Sequence, residues 1–246
     1  MLQYLPDIVV IPFLIRAGVR DAWLIEFVKE RIEIIYSFVK QKSYDIYDKT
    51  ELYNGIPRSF QGRSIIRPEL YEKGQIRLPL EYDIYAMVYV YSEMSQYYKD
   101  KIDEIKSYIM DDSFSQIQDG YGILSDRKHY WALGWNPKPT DLAEVTNVSP
   151  LLLKMELLSN ITVSCQTKWF SRALEHIEFY ADDKGIYHYP ISYLTEKNSC
   201  WILGNHMSLG ENRRNKNALK LEGTFRTLII YNNLKKVKKA VDKMNT

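Results

Sequence analysis

Residues Trp169 to Tyr187 read WFSRALEHIEFYADDKGIY. Phe170, Ala173, Leu174 and Ile177 recur at three- and four-residue spacing, which predicts one buried face of an amphipathic helix. Asp182, Asp183 and Gly185 then interrupt the pattern. Aspartate favours local side-chain-to-backbone hydrogen bonds and glycine accepts positive φ, so the helix is expected to close in a tight turn that delivers Tyr187 just beyond it.

Working outward, the flanking segments also read as helices. Ser149-Pro150 supplies an N-cap followed by proline at the first helical position, predicting a helix over 150–160 that pairs with one over 167–180. A last amphipathic helix is expected over 217–233, with Leu221, Phe225, Leu228 and Asn232 aligned and Glu222 close to its buried face. Lys235, Lys236, Lys238 and Lys239 extend it into a basic terminal turn that suits the helix dipole.

Upstream, residues 6–18 predict a short helix stopped by Gly18. Asp21 opens a stronger one over 22–41, with Leu24, Val28, Ile32, Ile35 and Val39 as its stripe. Gly55, Pro57, Gly62, Pro68 and Gly74 punctuate an irregular connection at about 43–78, with at most a short helix near 68–71. Helices over 80–91 and 101–110 follow, the second with Asp100 as its cap. Strand signals are confined to 185–203. The expected fold is all-α, a single helical domain over 1–246.

Several residues in the decisive stretch also carry a family resemblance. Arg172-Ala173, His176-Ile177, Ala181, Gly185 and Tyr187 follow the spacing of the glutamine–tryptophan repeat of squalene and oxidosqualene cyclases. Ala181 stands where that repeat has glutamine and Tyr187 where it has tryptophan. Gln116 and Gly120 echo half of it. Over roughly 80–233 the chain therefore resembles the terpene cyclases and protein prenyltransferase β-subunits. The resemblance implies helical hairpins in a curved array, a partial α/α toroid, with an aromatic-lined concave site for an apolar, isoprenoid-like ligand. The acidic strings that carry catalysis in those families are absent, so whether the chain is an enzyme stays open. Two other classes stay open beside it: a carbohydrate-active (α/α) protein and a non-catalytic helical scaffold that binds a partner protein.

Composition narrows these classes. The chain has 246 residues, 46% hydrophobic and 26% charged, in keeping with a sizeable globular core. A net charge of +2 gives no electrostatic case for nucleic acid. Two cysteines, Cys165 and Cys200, suggest a reducing compartment, and no apolar run approaches the ~20 residues of a membrane span, so a cytoplasmic protein without a transmembrane segment is expected. Twenty tyrosines suit a lined cavity or a helical interface. No metal-ligand spacing, phosphate loop or nucleophile elbow occurs, and no cofactor class is indicated.

The candidate site falls where the 201–214 segment meets the last helix. Glu222 and His206 are the acid–base candidates, because a carboxylate among apolar positions beside arginines is poised for ion pairing or proton transfer. Arg213 and Arg214 are the polar ligand-binding candidates, and Trp131, Trp135 and Trp169 the aromatic ones. The indoles of Trp131 and Trp135 are expected in a loop.

Overall fold

The computed structural model describes residues 5–48, 64–72, 75–117, 121–125, 129–133, 142, 148–190 and 217–244. The chain is mostly helical. It gathers into two compact units, 1–138 and 139–246.

In the first unit, α1 (Leu5–Arg16) is followed by Gly18, the expected stop, whose φ of +93° makes a left-handed closure. The amides of Gly18 and Val19 return to the carbonyls of Ile15 and Leu14, completing a Schellman turn. In α2 (Ala22–Val39) the predicted stripe is the buried one: Leu24, Val28, Ile32, Ile35 and Val39. Helix α3 (Glu81–Val90) carries Arg31 of α2 on Asp83 through two parallel 2.9 Å bonds, and the third arm of the guanidinium reaches the Ile76 carbonyl at 2.9 Å. Asp83 also accepts the Leu80 amide, so one buried carboxylate both starts α3 and fastens it to α2.

Helix α4 (Gln96–Ile109) begins one turn before the predicted start. Its cap position is Ser95; Asp100 lies inside the first turns and accepts from the Gln96 side chain. Ile102, Ile105 and Ile109 are buried as expected. The short α5 (Asp112–Ser115) is capped by Asp111, which accepts the Ser113 amide.

Helical packing in this unit departs from consecutive hairpins. The main contacts join α1 to α3 and α2 to α4, with α2 also touching α3. The described part of the 43–78 connection holds a Tyr47–Ile66 bridge, one 3-10 turn at Pro68–Leu70, and a two-residue ribbon of β1 (Tyr71–Glu72) with β2 (Gln75–Ile76). Strands are not confined to 185–203: β3 (Tyr121–Ser125) and β4 (His129–Leu133) form an antiparallel hairpin. Trp131 is therefore a strand residue, in register with Ile123, and not part of a loop.

In the second unit, α6 (Val148–Leu158) is enclosed almost all round, with Leu151, Leu152, Met155, Leu157 and Leu158 buried. It packs chiefly on α9 (Ala218–Met244) and more lightly on α8 (Lys168–Glu178), which the short α7 (Thr162–Cys165) precedes. Phe170, Ala173 and Ile177 form the buried face of α8.

Candidate functional site

Thr167 caps α8 by accepting the Phe170 amide at 3.2 Å. At the other end, Asp182 organises the closing turn: its carboxylate accepts the amides of Lys184 and Ile186, each at 2.9 Å. The His188 ring lies 2.8 Å from the same carboxylate, and this contact with the two amides holds Asp182 below the ordinary carboxyl range. Gly185 takes φ +73°, the left-handed conformation the turn requires.

This turn aims two tyrosines at α9. The Tyr187 amide donates to Thr224 Oγ1 at 3.0 Å, and its hydroxyl donates to Glu178 Oε1 at 2.6 Å. Tyr231 of α9 donates to the same carboxylate oxygen. Thr227 gives its proton to the Gly223 carbonyl and so accepts from the Tyr189 hydroxyl at 3.0 Å. Tyr187 and Tyr189 are buried and their rings stack at 5.9 Å. Burial first, and the hydrogen bond to Glu178 second, push the Tyr187 and Tyr231 phenols upward; burial does the same at Tyr189.

Deeper in the unit lies a polar belt between α6 and α9. Glu156, with no exposed surface, receives Arg226 Nη1 at 3.1 Å. Glu222 approaches Arg226 Nε at 3.8 Å from one turn earlier on the same helix. Asn233 donates to Ser159 Oγ at 3.1 Å, and Ser159 to the Glu156 carbonyl at 2.9 Å. Two buried carboxylates around one guanidinium form an ion-pair clamp between two helices. Removing one member of such a clamp costs far more than the intact clamp contributes.

The belt rotates α9 away from the expected orientation. The aligned stripe Leu221, Phe225, Leu228 and Asn232 faces outward, the three apolar side chains 55%, 47% and 56% exposed. Glu222, Arg226, Thr227, Ile230 and Asn233 occupy the buried face instead. Arg226 is the functional partner that the sequence reading missed. Its signal is present as a Glu222-to-Arg226 pair at i,i+4 spacing, a standard helical neighbour relation.

Of the residues selected from sequence, Glu222 is buried in the belt and Trp169 is half-buried on α8, edge-on to Phe170 at 6.2 Å. Trp131 belongs to the other unit, where its strand backbone alone is described. Trp135, His206, Arg213 and Arg214 lie outside the described residues, as does Cys200. Cys165 is half-buried, with its thiol pushed up to about 11 by burial, so it is a poor thiolate.

A small open cleft lies in the first unit, walled by Ile11, Pro12, Phe27, Tyr82 and Met87, with the Arg31–Asp83 pair at its edge. Among the described residues no group of three or more His, Cys, Asp and Glu is placed to hold a metal ion, and no helix is long and apolar enough to cross a membrane. No protein-family model, curated protein or solved structure matches this chain.

Proposed function

We propose that the chain is a non-catalytic helical protein that binds a partner protein through the exposed face of α9. The supporting observation is the orientation of that helix. Leu221, Phe225 and Leu228 are displayed at i, i+4 and i+7, while Glu222, Arg226 and Asn233 are held inside. Burying charge and displaying a row of large apolar side chains opposes solvation on both faces, and such rows mark interaction surfaces. A helix presenting anchors at this spacing matches the groove-binding mode of helical recognition.

Catalysis at Glu222 draws less support. Its carboxylate is enclosed beside Arg226, as a positioning ion pair would be. An isoprenoid-like ligand would need an apolar cavity, and the described cleft has the charged Arg31–Asp83 pair at its edge. A curved hairpin array or partial toroid is not required by the binding reading.

A photo-crosslinking amino acid placed at Phe225, with Lys184 as the exposed control, tests the proposal in cells. A discrete crosslinked protein at 225 and none at 184 is the expected result. Equal, diffuse labelling at both positions would refute it.

A further inference from the structure

The exposed face of α9 changes character along its length without changing direction. At 100° per residue, Leu221, Phe225 and Leu228 share an arc with Lys235, Lys236 and Lys239 further along the same helix. All six are exposed. Lys220 and Lys238 are exposed as well, while the acidic residue of this stretch, Glu222, is turned inward; the next carboxylate is Asp242, at the end of the helix. The outer surface of α9 from 220 to 239 is thus apolar in its first half and cationic in its second, and carries no exposed carboxylate of its own; Glu178 of α8 meets it at Tyr231.

We infer that this face docks an acidic amphipathic helix of a partner protein, whose apolar ridge meets Leu221, Phe225 and Leu228 and whose carboxylates meet Lys235, Lys236 and Lys239. The inference rests on the partner-binding reading and adds the chemistry of the partner. From Leu221 to Lys239 the strip runs ~27 Å at 1.5 Å per residue, so the docking segment is a helix of about 19 residues. Its apolar half supplies contact area, and its acidic half sets orientation and steers the encounter.

Charge complementarity separates this occupant from two others. A second copy packed antiparallel about Phe225 would set Leu221 against Leu228. Lys235 would then lie opposite position 214, ahead of Ala218 where α9 of the second copy starts, so that α9 brings no carboxylate to the cationic half. An anionic membrane calls for a different layout, with cations flanking an apolar face. Here the lysines continue the face itself, and the apolar part spans only about two turns.

The test uses the full chain and a labelled synthetic helix of about 19 residues. The helix carries leucines at i, i+4 and i+7 in one half and glutamates on the same face in the other; a second version has lysines in place of the glutamates. Fluorescence anisotropy is expected to show the acidic helix binding at least about tenfold more tightly than the basic one. The triple variant Lys235→Glu, Lys236→Glu, Lys239→Glu should reverse that preference, with an unchanged circular dichroism spectrum. Equal affinity for the two helices, or no reversal, overturns the acidic-partner inference and leaves the binding face standing. If Leu221→Gln, Phe225→Gln, Leu228→Gln leaves binding unaltered, the face itself is wrong and the partner-binding reading fails with it. Phosphatidylserine vesicles that bind more tightly than the acidic helix, or a dimer that the apolar triple variant dissolves, also overturn the inference in favour of a membrane or a second copy.

Discussion

Replacing Tyr187 with alanine removes the residue that ties the α8 turn to α9, and its cost can be built from its contacts. The ring is 5% exposed and stacks on Tyr189, so its deletion leaves a void between the turn and α9. Truncating a buried aromatic to alanine costs about 3–5 kcal/mol when the surroundings cannot collapse. The backbone bond from the Tyr187 amide to Thr224 survives the change, which favours the lower end of that range, about 3 kcal/mol. Tyr187→Phe isolates the hydroxyl. Glu178 is exposed and also accepts from Tyr231, so it is not left unsatisfied, and the loss should be about 0.5–1.5 kcal/mol.

Because the chain forms two units, a global transition would mix them. Native-state hydrogen exchange reads the amides of α8 and α9 separately from those of the first unit. The expected result is a fall in opening free energy confined to the second unit, larger for alanine than for phenylalanine. A fall below about 1 kcal/mol for Tyr187→Ala would show that the turn does not anchor α9.

Arg31→Met should destabilise the first unit by about 3–5 kcal/mol, read from hydrogen exchange of its own amides, because Asp83 stays buried without its bidentate partner; a near-neutral result would mean water replaces the guanidinium. Gly185→Ala meets no steric obstacle to its methyl group, yet should cost about 1–2 kcal/mol from the left-handed φ alone, measured by hydrogen exchange in the second unit against Gly185→Asn, which should cost less. Burial raises the phenols of Tyr82, Tyr108, Tyr187 and Tyr189 above the ordinary value of 10. The stability they carry is therefore complete below pH 10, the unfolded value, and is lost as pH climbs above it, so tyrosinate absorbance and loss of helix should appear together in an alkaline titration.

How much of this was legible in the sequence differs sharply between neighbouring helices. The stripe of α2 and the buried face and glycine closure of α8 could be read because each is decided by local chemistry: periodic apolar residues, and a residue free to take positive φ. The β3–β4 hairpin was missed although YGILS and HYWAL are rich in strand-favouring residues. Neither shows a clean alternation, and a three-residue polar link, Asp126 to Lys128, separates them. The α1–α3 and α2–α4 packing could not be read at all, since adjacency in sequence says nothing about which stripes meet. Of the candidate site, Glu222 was recognised as a buried carboxylate, while its cation was sought in Arg213 and Arg214 and is Arg226 among the described residues.

The rotation of α9 was misread because hydrophobicity alone would choose the other face, and the structure shows what outweighs it. Rolling Leu221, Phe225 and Leu228 inward would cover side chains that are already about half covered, recovering about 1 kcal/mol each. The same roll would carry Arg226 away from Glu156, which has no exposed surface of its own, and leave that carboxylate buried without the guanidinium, a loss of about 3–5 kcal/mol. It would also break the bonds from Tyr187 to Thr224 and from Tyr189 to Thr227, each worth about 1 kcal/mol. The polar contacts act together, on opposite sides of one helix turn, so they define a single rotation. The ion-pair clamp and the exposed apolar strip are therefore one feature of the fold: Glu156, buried in the last turn of α6, turns α9 and so leaves Leu221, Phe225 and Leu228 exposed.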